Sequence, residues 1–224
     1  MDWQPLWLTF KLAIITSSIL FVIALPLAYW LAFAKFKGRG FVEAIIGMPL
    51  VLPPSVLGFY LLLAFSPTYW FGAWIENMFG LRLVFSFAGL VIGSVIYSLP
   101  FMVYPLRAGL QSLPASLREA SFTLGKGRWE TFFKILLPNC KSAILSAFVL
   151  TFAHTVGEFG VVLMIGGNIP GVTKVASIAI YNEVEALNYN GANQYALVLF
   201  AITFVILLLV YSVNNRLLRV RQTS

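Results

Sequence analysis

Residues 117–138 read LREASFTLGKGRWETFFKILLP. Six of them are charged: Arg118, Glu119, Lys126, Arg128, Glu130 and Lys134. The rest of the chain is unlike this stretch. Its 224 residues are 60% hydrophobic and only 10% charged, with mean hydropathy +0.89. Soluble domains carry about 25% charged residues. The composition is therefore that of a membrane protein, and 117–138 is a polar island between apolar runs.

A helix needs about 20 mostly apolar residues to cross the hydrocarbon core. Five runs qualify, roughly 7–33, 41–65, 84–106, 139–165 and 194–213. They predict an all-α, polytopic protein folded as a single transmembrane domain over 1–224, with a polar loop at 107–138. The first run is read as a retained span rather than a signal peptide, because its basic residues follow it. Thr173–Tyr189 is too short and too polar to span, so 166–193 is expected to hold a short external or re-entrant helix.

Basic residues in short loops set orientation. With the N-terminus outside, Lys35, Lys37, Arg39, Arg107, Arg118, Lys126, Arg128, Lys134, Lys141, Arg216, Arg219 and Arg221 all face the cytoplasm. Only Lys11, Arg82 and Lys174 stay outside, and the C-terminus is cytoplasmic. A sixth span with the N-terminus inside would scatter basic loops to both sides. The net charge of +7 is then met by anionic membrane lipid, with no need of nucleic acid. The single cysteine, Cys140, excludes an intramolecular disulfide and is expected to pack as a small apolar residue. The single histidine, His154, excludes an all-histidine metal site within the chain.

Within the island, Pro114 opens a new element, and Ser116 with Glu119 has the spacing of a capping box. Gly125 and Gly127 can supply a left-handed helix stop. Arg128–Leu137 predicts a second helix, apolar on one face and lying on the membrane surface. Leu117, Ala120, Ser121 and Leu124 share one face of the first helix, small in its middle. That face suits either a solvated surface helix or a knob that docks on another protein.

The island resembles the EAA signature of ABC-importer permeases, E-A-A-x3-G-x9-I-x-L-P. Glu119, Ala120, Gly125, Ile135, Leu137 and Pro138 match at the right spacing, with Ser121 in place of the third residue. MPLVLPPSVLGFYLLL (Met48–Leu63) and VGEFGVVLMIGGNIPG (Val156–Gly171) resemble the molybdate permeases of that family. Sulfate and tungstate permeases share much of the pattern. The resemblance implies the type I ABC importer transmembrane fold, in a bacterial or archaeal plasma membrane. It implies a homodimer of permease subunits, two copies of an ATPase subunit and an extracytoplasmic oxyanion-binding protein. Closure of the ATPase pair on ATP draws the coupling helices together and opens the pathway outward. The coupling helix would be formed by Leu117, Arg118, Glu119, Ala120, Ser121, Leu124, Gly125 and Lys126, with Gly125 setting its bend. No cofactor is expected on this chain, and ATP and Mg belong to the partner ATPase. The residues agree that no phosphate cradle exists here. GKGRW lacks P-loop spacing, and GGNIPGVTK has Val172 where lysine must stand.

Other features stay open between function and packing. Pro49, Pro53 and Pro54, followed by Ser55, interrupt the second run, as a kink that lines a pathway or one that only packs. His154 and Glu158 stand i, i+4 in the fourth run, where ionisable groups face the bundle interior or water. Asn168 and Pro170 lie in a turn, GNIPG, that either meets the binding protein or is an ordinary connection. Gly89 and Gly93 frame a small-xxx-small packing motif. An intramembrane hydrolase built on His154 and Glu158 lacks a second histidine, a paired carboxylate and the H-E-x-x-H pattern. A passive channel would need no coupling helix.

Overall fold

The first apolar run forms one helix, α1 (Gln4–Phe33), in a computed structural model that describes residues 1–222. At positions 209 and 213–222 only the backbone is described, so the side chains of Arg216, Arg219 and Arg221 lie outside the described residues. Next come α2 (Arg39–Val51), α3 (Pro54–Phe65), α4 (Trp70–Phe79) and α5 (Phe87–Gln111). The polar island contributes α6 (Ala115–Thr123) and α7 (Arg128–Thr131), a π turn (Phe132–Leu136) and α8 (Leu137–Asn139). The chain continues through α9 (Lys141–Val156), α10 (Gly160–Gly166), α11 (Ala176–Glu185) and α12 (Tyr189–Gln222). No strand occurs among the described residues.

Three helices are long and apolar enough to cross a membrane: α1, α5 and the Tyr189–Ser212 part of α12. There are up to five spans if two bent pairs each count as one, α2 with α3 and α7–α8 with α9. The protein is thus an all-α polytopic membrane protein.

The bends have local causes. A residue before proline is pushed out of the α region. Leu52 precedes Pro53 at ψ 135°, and Pro53 precedes Pro54 at ψ 136°. Two extended residues in succession turn α3 by 112° from α2. Pro49 behaves otherwise and leaves α2 intact through to Val51. Pro138 lacks the N–H that a regular helix would need there. Just before it, the Leu137 N–H reaches back five residues to Phe132, and the helix takes π form. A bend of 80° then leads into α9.

The core is α1 packed on α5 and α9. Leu20, Ala24, Ala28 and Leu31 of α1 are sealed against Met102 and Val103 of α5 and Ala147 of α9. The π turn joins this core, with Phe132 and Leu136 buried in the same cluster and Phe132 4.8 Å from the Tyr29 ring. The segment expected to lie on the membrane surface therefore inserts one face into the bundle and leaves Trp129 and Phe133 exposed. Cys140 is buried in that cluster, among apolar neighbours.

The Thr173–Tyr189 segment does contain a helix, α11, but it packs inward. Ala176 and Ala179 are buried with Leu6 of α1 and Tyr195 of α12. The Ala176 N–H donates to Thr9 Oγ1 of α1 at 2.8 Å, satisfying an orphan donor at the start of α11. The GLVIG motif splits in two. A Cβ on Gly93 would come within 2.6 Å of Ile165 Cδ1, so its bareness serves contact with α10 inside the chain. Gly89 instead closes on the Leu83 carbonyl of the preceding loop.

Candidate functional site

The break between α2 and α3 faces a second break, between α9 and α10. The fourth apolar run is not one helix, since α9 stops at Val156 and α10 restarts at Gly160. Glycine lets the two breaks meet. A Cβ on Gly160 would fall 2.7 Å from Pro54 Cβ and 3.2 Å from Ser55 N, and one on Gly58 would fall 2.8 Å from Met164 Cβ. The helices α3 and α10 therefore cross almost backbone to backbone.

Beside this crossing opens a cavity of about 660 Å³. Pro54, Ser55, Tyr97, Ala153, His154, Gly157, Glu158, Phe159 and Gly160 line it. Four of the residues singled out in the sequence, Pro54, Ser55, His154 and Glu158, are thus brought together. Pro49 and Pro53 are not in the lining; Pro49 is buried in α2, and Pro53 acts through the bend.

His154 and Glu158 do not share a helical face, because the helix ends between them and Glu158 sits in a turn whose N–H bonds to the Thr155 carbonyl. They line the same cavity instead. Glu158 is only 4% exposed. One carboxylate oxygen accepts from Ser94 Oγ of α5 at 2.7 Å, and its main-chain carbonyl accepts from Ser177 Oγ of α11 at 2.7 Å. The other carboxylate oxygen makes no hydrogen bond. His154 stacks on Phe101, with ring centroids 3.8 Å apart, and lies 4.8 Å from the Tyr97 ring. Among the described residues no lysine or arginine pairs with Glu158, and no group of three metal-ligating side chains occurs. The lining offers the Ser55 and Tyr97 hydroxyls as donors but no fixed positive charge. Ser94, Tyr97 and Ser177 were not singled out from the sequence. Polar residues at 94, 97 and 98 inside an apolar run are the signal that points to the first two.

The polar island builds a short helix closed at its end. Gly125 takes φ +75°, its N–H bonds to the Phe122 carbonyl at 3.0 Å, and the Lys126 N–H bonds to Ser121 at 3.1 Å. This is a full Schellman stop. Gly127 is extended and plays no part in it. The capping box does not form. Pro114 occupies the cap position, so Ser116 falls inside α6 and no side chain caps its start.

The expected small face also divides. Ser121 is 1% exposed, and its hydroxyl pairs with Thr131 Oγ1 at 2.7 Å, clamping α6 to α7. Leu117 is half-buried, while Ala120 and Glu119 are exposed and Leu124 is 77% exposed. Arg118 lies 4.5 Å over the Phe33 ring of α1. Lys126 stands 3.8 Å from Glu130, which Lys134 holds at 3.0 Å. The surface left free is Glu119, Ala120, Leu124 and the Gly125 turn.

Asn168 and Pro170 lie in an exposed turn bounded by Gly167 at φ +63° and Gly171 at φ +77°. Thr173 ties the turn together, donating to the Gly166 carbonyl and accepting from the Ile169 N–H. The Asn168 side chain is engaged in a reciprocal amide pair with Asn182 of α11, at 3.0 and 3.1 Å. Pro170 remains open.

An all-helical bundle with broken helices around a polar cavity, and a capped helix held out on a polar loop, is the architecture of the membrane domain of an ABC importer. A bacterial ABC transporter that imports the acidic polysaccharide alginate shares it, with a TM-score of 0.78 at 18% identity over 95% of this chain and 78% of that one. The MetNI methionine ABC transporter in an inward-facing form does so as well, with a TM-score of 0.74 at 19% identity over 98% and 97%. The chain belongs to the family described as binding-protein-dependent transport system inner membrane component, whose model matches residues 24–221. It is 43% identical over 212 residues to the molybdenum transport system permease protein ModB of Azotobacter vinelandii, covering 94% of this chain and 93% of that protein. ModB of Escherichia coli K12 is 32% identical over 93% and 91% of the two lengths. A probable sulfate transport system permease protein, cysT of Chlorella vulgaris, is 35% identical over 91% of this chain and 74% of its own.

Proposed function

We propose that this chain is the permease subunit of an ATP-driven importer that carries molybdate into the cytoplasm. The observation that carries the substrate is the 43% identity to a ModB protein across nearly the full length of both chains, against 35% for the sulfate relative. Two copies of the chain would enclose the pathway, with the N-terminus outside and the 107–138 loop in the cytoplasm. A partner ATPase would seat on the surface that 117–126 leaves free, Glu119, Ala120, Leu124 and the Gly125 turn, and would supply the ATP and Mg. An external binding protein delivering the oxyanion would meet the side that carries Asn168 and Pro170.

The cavity chemistry suits passage rather than storage. No lysine or arginine in the lining stands by to trap an oxyanion, and the Ser55 and Tyr97 hydroxyls can guide it. An anion held tightly would not be released. The cysT relative supports a second reading, in which sulfate is carried instead.

The test is uptake of labelled molybdate in cells lacking this chain, with and without the chain restored, and with sulfate in excess. Restored molybdate uptake that survives sulfate is the expected result. Restored sulfate uptake without molybdate uptake overturns the substrate assignment and leaves the importer class standing.

A further inference from the structure

A second cavity, of about 650 Å³, opens where α1 ends, between α1, α6 and α7. Its chemistry differs from that of the first. Lys35, Arg118 and Arg128 bring three cations from three separate segments, against the single carboxylate of Glu119. Among the described residues none of these three cations forms an ion pair, and Arg118 is fixed over the Phe33 ring. The α1 wall is aromatic, with Tyr29, Trp30 and Phe33 on its last turns.

We propose that this cavity binds the phosphate headgroup of an anionic phospholipid in the cytoplasmic leaflet. Its depth fits, because α1 is a spanning helix and its apolar run ends at Phe33, immediately before Lys35 and Lys37. Aromatic side chains at the ends of spans sit at headgroup level, and basic pockets on the cytoplasmic side attract anionic headgroups. Trp30 is partly exposed beside the opening, where an acyl chain can run along α1. A soluble anion would have no use for the aromatic wall. Because Arg118 and Glu119 belong to α6, a bound headgroup ties the coupling loop to the membrane surface. This inference rests on the proposed orientation, with 107–138 in the cytoplasm.

The experiment uses the full chain, purified in detergent and stripped of lipid, with native mass spectrometry after adding phosphatidylglycerol or phosphatidylcholine. The wild type should retain phosphatidylglycerol in preference. Lys35→Ser with Arg128→Ser should weaken that retention by roughly thirtyfold, the order expected for two interfacial cations. Arg82→Ser with Lys174→Ser, away from the cavity, should leave it unchanged. If the first pair does not purify, Lys35→Glu at an exposed position reads the same effect. Equal retention of the two lipids, or equal loss in both double variants, overturns the proposal. Displacement of phosphatidylglycerol by inorganic phosphate overturns it in favour of a simple anion site. Binding in detergent does not depend on orientation. Labelling of Gly127→Cys from one side of intact cells reports orientation separately.

Discussion

Ser94 in α5 donates a 2.7 Å hydrogen bond to the carboxylate of Glu158, in the gap between α9 and α10, from 64 residues away. Through its carbonyl, Glu158 also accepts from Ser177 of α11. One residue thus joins three parts of the bundle at a helix break. Glu158→Ala removes the acceptor and leaves the Ser94 hydroxyl buried without a partner, at a cost of about 1–3 kcal/mol. Glu158→Gln keeps an acceptor and should lose less. Thermal unfolding of the purified variants checks this, and a Glu158→Ala chain as stable as wild type would contradict the clasp.

The stop of α6 depends on backbone conformation alone. Nothing lies within 4 Å of a Cβ built on Gly125, yet its φ is +75°. A β-branched residue there costs roughly 1–2 kcal/mol, whereas asparagine visits this region readily. Gly125→Val should insert into the membrane but fail to retain the ATPase subunit or support uptake, and Gly125→Asn should do both. Co-purification of the ATPase with each variant distinguishes them.

Glu119 makes no hydrogen bond or ion pair among the described residues, despite its place in the signature. Glu119→Ala should therefore leave the unfolding temperature unchanged while lowering transport and ATPase attachment. A loss of stability equal to the loss of transport would return Glu119 to a structural role.

Contact between α3 and α10 leaves no room at Gly160. A Cβ there meets Pro54 and the Ser55 amide, and backbone cannot swing aside like a side-chain tip. Gly160→Val should cost about 1–3 kcal/mol as overpacking and should reshape the cavity that holds His154. Uptake should fall more than expression does. Normal uptake with this substitution would remove the cavity from the pathway.

Orientation has its own test. Asn77 lies near the end of α4 and is exposed. An impermeant thiol reagent applied outside should modify Asn77→Cys in intact cells once Cys140 is replaced by serine. Labelling only after lysis would invert the topology.

What the sequence made legible was local. Hydropathy found the long helices, because their length and apolarity are properties of consecutive residues. The Pro53–Pro54 bend and the Gly125 stop follow from steric rules acting over one or two positions. What it hid was pairing over distance and competition between signals. Ser116 and Glu119 had the right spacing for a capping box, but Pro114 started the helix two residues earlier. Ser121 looked like part of a free surface until Thr131, ten residues on, claimed its hydroxyl. The Pro53–Pro54 break was visible, but 139–165 read as one span, and only the fold interrupts it after Val156 and sets Gly160 against Pro54. The hydropathy criterion assigns nothing to 66–83, where α4 stands, because ten residues are too few to span.

The bond from Ala176 to Thr9 has a consequence for the order of assembly. Thr9 is synthesised long before Ala176, and its hydroxyl donates within α1 to the Pro5 carbonyl. Its remaining lone pair then waits for a donor 167 residues downstream. Leu6 waits in the same way for Ala176, Ala179 and Tyr195. Contacts so distant in sequence form late. The α1 helix is therefore among the last to be finished, and a chain halted before residue 176 would carry an uncovered seam along it.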